Sequence, residues 1–203
     1  MNSEHWDEIF ANKGESVPWF QPSLARSLRL IESRTLPPTA SIIDVGAGNS
    51  TLVDDLRTRG FSDITLVDLS QVALEHVRNR LGTRARGVRF LPGDIREVTL
   101  PGGHYGLWHD RTAYHFLPDP EAREAYVEQL RGATRPGSTV LIVTFGPDGP
   151  QRCSGLPARR HDLASLHAEL GPDDFEPVTH ELEVHRTPAG VDQQFLYAMF
   201  ERR

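Results

Sequence analysis

Three acids, Asp44, Asp68 and Asp94, each follow an apolar run, and the first stands directly before a glycine turn, Asp44-Val45-Gly46-Ala47-Gly48-Asn49. Glycines at 46 and 48 let the backbone turn sharply and approach a ligand closely. A helix opening near Ser50 would aim its free N–H groups at the same place. A pyrophosphate would suit such N–H groups, but the third glycine of G-x-G-x-x-G is replaced by Thr51. A carboxylate just before the turn also disfavours phosphate and suits a cationic group. A ligand carrying an ammonium and a sulfonium therefore fits better than a dinucleotide. Asp68, flanked by Leu69, is placed to accept two sugar hydroxyls. Asp94, flanked by Ile95, is placed to accept from an amino group on a heterocycle.

A second constellation is Trp108-His109-Asp110-Arg111-Thr112-Ala113-Tyr114-His115-Phe116. Asp110 could take an acceptor proton or pair with an arginine, and His109 or His115 could act as a base. Each also has a bland reading, as a structural ion pair or a satisfied core histidine. Further along, Gln151-Arg152-Cys153-Ser154-Gly155 places the only cysteine beside an arginine. Such a thiol could be partly ionised and touch a soft substrate, or simply fill space. Arg111 and Tyr114 are further candidates for substrate contact. Trp19 and Phe20 could form an aromatic wall over a ligand or pack plainly. The histidines show no metal-ligand spacing, so no metal site is expected.

The elements that must position these residues alternate. Short helices are expected at Ser3–Ala11 and Leu24–Arg34, with a loop at Gly14–Pro22 between them. Strands follow at Ser41–Val45, Ile64–Leu69, Val88–Leu91, Tyr105–His109 and Thr139–Phe145. Helices are expected at Thr51–Arg59, Gln71–Leu81 and Pro120–Leu130, the last leading through Arg135-Pro136-Gly137 into its strand. Alternation of this kind means a parallel sheet with helices on both faces. Phe175–Arg186 and Gln193–Glu201, joined by Thr187-Pro188-Ala189-Gly190, should instead make an antiparallel hairpin. The fold class expected is therefore α/β: a doubly wound, mostly parallel seven-stranded sheet closed by a C-terminal antiparallel hairpin. The loop Gly146–Arg160 lies at the carboxyl end of a strand, where ligand sites form.

The chain has 203 residues, which suits one domain. It divides into an N-terminal helical segment, 1–38, and a ligand-binding core, 39–203. With 28 acidic and 22 basic residues it carries a formal charge of −6, so sequence-independent nucleic-acid binding is not expected. No disulfide framework is available to a single cysteine. No run is long and apolar enough to span a bilayer, and the acidic N-terminus does not read as a secretory signal. A soluble, cytoplasmic protein is expected, as monomer or dimer.

Four pieces together resemble the class I S-adenosylmethionine-dependent methyltransferases. They are Ile43-Asp44-Val45-Gly46-Ala47-Gly48-Asn49, Leu66-Val67-Asp68-Leu69-Ser70, Pro92-Gly93-Asp94-Ile95, and Leu130 through Pro136-Gly137 into the fifth strand. The closing hairpin also matches, and the resemblance runs over roughly residues 24 to 203. One departure is Ser50, where many members carry a third glycine. The resemblance implies that Asp44 and the Gly46–Gly48 turn lie by the methionyl part of S-adenosylmethionine. It implies Asp68 by the ribose, Asp94 by the adenine, and His109 beside the cofactor as well. S-adenosylhomocysteine would be the product. The segment after the fourth strand would border the methyl group. That segment is similar both to the Asp-Arg-Gly segment of thiopurine methyltransferase-like enzymes and to the Asp-Lys-Gly-Thr segment of seven-strand protein lysine methyltransferases. The segment around Trp19 and Phe20 resembles the family's substrate lid. A small-molecule acceptor is the leading expectation. Protein lysine methylation and cofactor binding without turnover are the alternatives, and a nicotinamide oxidoreductase is disfavoured by Thr51 and Asp44.

Overall fold

The computed structural model describes residues 2–13, 17, 19–117, 119–187 and 190–203. Parts of the expected loop at Gly14–Pro22 (Gly14, Glu15, Ser16 and Pro18) and of the hairpin turn (Pro188 and Ala189) lie outside the described residues. By internal contacts the chain divides into two units, Met1–Thr99 and Leu100–Arg203. Across the seven-stranded sheet the strand order is β3-β2-β1-β4-β5-β9-β8, with the strand ranges given below. The expected α/β class, with a mostly parallel sheet and a closing antiparallel pair, is what the chain adopts.

In the first unit, α1 spans Ser3–Lys13 and α2 spans Ala25–Glu32. Leu28, Leu30 and Ile31 of α2 are buried. β1 (Ile42–Val45) and β2 (Ile64–Asp68) are buried at every position, as expected of parallel strands covered on both faces. They pair in parallel from Ile42↔Ile64 to Val45↔Val67. β3 (Val88–Pro92) continues the parallel set, ending with Asp68↔Pro92. Between strands run α3 (Leu52–Thr58) and α4 (Gln71–Leu81). Ser70 caps α4 by accepting the Ala73 N–H at 3.1 Å.

In the second unit, β4 spans Tyr105–Arg111, two residues beyond the expected end. Asp110 and Arg111 are therefore strand residues, opposite Ile142 and Val143 of β5. α5 runs Pro120–Ala133 with Asp119 as its cap, and β5 spans Thr134–Phe145. The expected turn at Arg135-Pro136-Gly137 lies inside that range as an outlooped bulge: Tyr105 pairs with Thr134 and Leu107 with Thr139, and Gly137 is left-handed at φ +83°.

Two elements were not foreseen. A small hairpin, β6 (Arg152–Cys153) and β7 (Leu156–Pro157), folds the Gly146–Arg160 loop back on itself. α6 occupies Leu163–Leu170, started by a reciprocal Asp162–Ser165 capping box. β8 (Phe175–Arg186) and β9 (Asp192–Arg202) form the expected antiparallel pair, and β9 continues it onto β5.

Candidate active site

In the first unit the glycine turn and the three acids meet at the carboxyl ends of β1, β2 and β3. The Ala47 N–H donates to Val67 O at 3.1 Å, and the Gly93 N–H to Asp68 O at 2.8 Å. These bonds tie the three strand ends together. Gly46 and Gly48 adopt φ +65° and +50°, a region open mainly to glycine. Asp44, Ala47 and Asn49 are buried. The Gly48 N–H donates to Asp68 Oδ2 at 2.7 Å, and the Ser70 N–H donates to Oδ1 at 2.7 Å. Each oxygen keeps a lone pair for a further donor. Burial pushes the Asp68 carboxyl up to about 6, with Asp44 and Asp7 adding to it against those backbone bonds.

Asp94 follows β3 and is held differently. Arg96 donates to both its oxygens, from Nε at 2.9 Å and from an Nη at 2.6 Å. Its backbone N–H adds a third bond. These bonds to Arg96 hold the carboxyl below the usual range although burial works against them. Ile95 beside it is buried, and Leu69 is half-buried.

Several residues at this site carried no signal on their own. The Arg80 guanidinium of α4 donates to Asn49 O at 3.0 Å and Ser50 O at 2.5 Å, and it pairs with Asp54 at 2.9 Å. It pins the carbonyls of the glycine loop from behind. Asp7 of α1 accepts from Ser70 Oγ at 2.6 Å and from the Val72 N–H at 3.2 Å. α1 is therefore fastened to the start of α4. A Cβ built on Gly48 would lie 3.0 Å from Phe10 Cζ, so the Phe10 ring covers the turn. Trp19, half-buried, meets Trp6 edge-on at 6.2 Å. Phe20 is also half-buried, its N–H donating to Val17 O at 3.0 Å.

In the second unit, the residues at and after the end of β4 form a buried polar cluster. Asp110 accepts the Ala113 N–H at 2.9 Å, the Tyr114 N–H at 3.1 Å and the Tyr126 hydroxyl at 2.8 Å. The Tyr126 hydroxyl in turn accepts from Trp108 Nε1 at 2.8 Å. Burial raises the Asp110 carboxyl to about 6 against these bonds. This arrangement suits a carboxylate that folds the chain back over Ala113 and Tyr114 more than one that exchanges protons with a substrate. Thr112, between them, is held at φ +72° with its N–H on Val143 O. That is a strained conformation for a β-branched residue.

His109 is fully buried in β4. His115 is buried too, stacked on Phe145 at 4.5 Å, and neither ring nitrogen has a hydrogen-bond partner. Burial, together with the His161 and Arg111 charges, pushes it down to about 3. It is neutral at physiological pH and a weak base. Phe145 meets Phe195 at 5.1 Å, and the Arg111 guanidinium lies 5.5 Å over Phe195. The Tyr114 hydroxyl donates to Glu169 of α6 at 2.9 Å, and Glu169 also holds His161 at 3.1 Å and Arg159 at 2.6 Å. Cys153 lies half-buried on β6, and burial pushes its thiol up to about 11. The partial ionisation expected from its neighbour Arg152 is therefore corrected: Arg152 is exposed and turned to the Gly155 carbonyl.

Among the described residues no group of three His, Cys, Asp or Glu side chains is arranged to hold a metal ion. No described helix is long and apolar enough to cross a membrane.

Comparison with known proteins points to a methyltransferase domain. A family model described as a methyltransferase domain matches residues 42–137. The chain is similar to the EEF1A lysine methyltransferase 2 of Danio rerio, with 26% identity over 158 residues, covering 70% of this chain and 67% of that protein. It is also similar to the eEF1A lysine and N-terminal methyltransferase of Mus musculus, at 24% identity over 111 residues. That match covers 54% of this chain but only 16% of the mouse protein's length. Among solved structures, one comes from work on conversion of a disulfide bond into a thioacetal group during echinomycin biosynthesis. It superposes with TM-score 0.79 at 18% identity, covering 98% of this chain and 92% of that one. A methyltransferase from Anabaena variabilis, described as SAM-dependent, gives TM-score 0.74 at 15% identity, covering 99% and 93%. At these identities the structures speak for the fold.

Proposed function

Because this chain belongs to the class I S-adenosylmethionine-dependent methyltransferases, we propose that it methylates a small soluble nucleophile. S-adenosylmethionine supplies a methyl group already activated on a sulfonium, so the protein's task is to bind, align and exclude water. The bond between Gly48 N–H and Asp68 carries the cofactor side of this reading. It presents a bare backbone turn and a nearly buried carboxylate with acceptor capacity to spare, which fits a ribose next to an amino-acid moiety. Asp44, Gly46, Ala47, Gly48 and Asn49 would hold the methionyl part, Asp68 and Leu69 the ribose, and Asp94 and Ile95 the adenine. Phe10 keeps water from the turn.

The acceptor side is assigned to the segment after β4, as the family resemblance implies. Arg111 and Tyr114, with Cys153, are its proposed contacts. Asp110 positions that segment, and His115 supplies a neutral imidazole with two unpartnered nitrogens. A buried guanidinium and a neutral histidine favour an anionic or neutral acceptor over a lysine ammonium, which like charge would repel. A second reading, protein lysine methylation, is supported by the names of the zebrafish and mouse relatives. The two separate by label. Tritiated methyl from S-adenosylmethionine should pass to members of a panel of thiols, heterocycles and small acids. Transfer only into a protein fraction containing EEF1A would favour the second reading, and no transfer with retained cofactor binding would leave a binding protein.

A further inference from the structure

The glycine turn is held by two different elements. Strand β2 takes its N–H groups: Ala47 N–H donates to Val67 O at 3.1 Å, and Gly48 N–H donates to Asp68 Oδ2 at 2.7 Å. Helix α4 takes the carbonyls that leave the turn, through one side chain. Arg80 donates to Asn49 O from Nη1 at 3.0 Å and to Ser50 O from Nη2 at 2.5 Å. Its Nε and Nη2 also donate to Asp54 Oδ2 of α3, at 3.1 and 2.9 Å. Bonds in several directions from one plane use the guanidinium fork, which the point charge of a lysine cannot copy. A simpler reading is that Arg80 only ties α4 to α3. Arg84 speaks against it. Arg84 donates to Asp54 Oδ1 at 3.0 Å, and among the described residues it bonds to nothing else. The tie to Asp54 therefore has a second strut, and what Arg80 alone adds is the hold on residues 49 and 50.

That hold falls where the chain has most freedom. Gly46 and Gly48 stand at φ +65° and +50°, and glycine populates many other conformations at little cost. A brace just beyond the second glycine fixes where Asn49 and the start of α3 stand. We propose that Arg80 is a positioning residue for the methionyl end of the cofactor: by bracing Asn49 and Ser50 it keeps the turn in the shape that receives the amino-acid moiety. This role rests on the cofactor reading above and adds to it a residue that acts through others. A turn ordered before the ligand arrives saves the ordering cost at binding. Without the brace the cofactor must order the turn itself. The loss then falls on the part of the ligand that the turn receives, and the ribose, held at Asp68, is spared.

Calorimetry on the full chain with two ligands tests it. One is S-adenosylhomocysteine. The other is methylthioadenosine, which keeps the adenine, ribose and sulfur but has no amino-acid moiety. Arg80→Lys retains a cation for Asp54 and leaves Arg84 in place, so its melting temperature should stay at the wild-type value. It should bind S-adenosylhomocysteine about tenfold more weakly and methylthioadenosine as wild type does. A variant that still holds methylthioadenosine has kept its fold and its ribose site, so a loss confined to S-adenosylhomocysteine reports on the turn. Arg84→Ala, which removes the other strut on Asp54, should bind both ligands as wild type does. A wild type that binds neither ligand would sink the cofactor reading and this role with it. A wild type that binds S-adenosylhomocysteine, beside an Arg80→Lys variant that binds it equally well, would overturn this role alone. Equal weakening of both ligands would overturn it too, by marking Arg80 as a general support of the fold.

Discussion

The Gly48 N–H lies 2.7 Å from Asp68 Oδ2, so the turn after β1 and the acid ending β2 form one hydrogen-bonded unit. The same glycine sits beneath Phe10 at φ +50°. These two facts make position 48 intolerant of any side chain.

Gly48→Ala should cost about 1–2 kcal/mol from the left-handed backbone alone. The new methyl would also press on Phe10. Thermal unfolding should show a melting temperature lower by roughly 2–4 °C per kcal/mol lost, and in a Phe10→Ala background, itself less stable for loss of a buried ring, the Gly48→Ala penalty should shrink by the contact part only. An unchanged melting temperature for Gly48→Ala would contradict the geometry.

Asp110 is expected to position the chain rather than move protons. Removing its carboxylate in Asp110→Ala leaves the Ala113 and Tyr114 N–H groups without their acceptor, at a cost of about 1–3 kcal/mol or more. Asp110→Asn keeps an acceptor oxygen and should lose less stability. With a thiol or heterocycle acceptor, its kcat should stay within about tenfold of wild type with an unchanged pH profile. A well-folded Asp110→Asn protein slowed about 100-fold or more would instead mark a general base.

His115 should contribute a loss of stability in acid. Its folded pKa of about 3 lies below the ordinary 6.5. Between those values the unfolded chain binds a proton that the folded chain refuses, so stability falls as pH falls from 6.5 towards 3. The slope for one such proton is about 1.4 kcal/mol per pH unit. Asp68 and Asp110, raised from 3.8 to about 6, act in the opposite sense between those values. Because both His115 nitrogens are unpartnered, His115→Phe should be tolerated at neutral pH. Relative to wild type, the urea midpoint of His115→Phe should then rise as the pH is lowered from 7 to 4.5. Parallel slopes would show that His115 is not the group responsible.

Much of the candidate site's geometry in the first unit is legible in the sequence because it rests on local chemistry. A glycine turn after an apolar run and acids ending the next runs need only strand alternation to come together, and β1, β2 and β3 supply it. The pieces that escaped depend on tertiary partners. Nothing in the run Arg78-Asn79-Arg80 marks Arg80 as the residue that reaches Asn49 and Ser50. Asp7 reads as one more acid on a surface helix until Ser70 is beside it. α6 was signalled by Asp162, Ser165 and Gly171 around Leu163, Leu166 and Leu170, but the Pro- and Arg-rich loop before it hid the start. The regular ladder of β5 starts at the expected Thr139, and only the single pair of Thr134 with Tyr105, ahead of the Pro136-Gly137 turn, extends the strand earlier. For Cys153 the neighbouring Arg152 suggests an acidic thiol, whereas burial sets its acidity.

The central claim is that Asp68 and the Gly48 turn hold S-adenosylmethionine. Calorimetry with S-adenosylhomocysteine at pH 7.5 tests it most directly. Wild type should bind, and Asp68→Ala should bind at least tenfold more weakly, about 1.4 kcal/mol. Because the ribose hydroxyls need the ionised carboxylate, wild-type affinity should also fall as pH drops through about 6. Asp68→Asn should lose that dependence. Unchanged affinity in Asp68→Ala, or no binding of S-adenosylhomocysteine alongside saturable binding of NADH, would contradict the account.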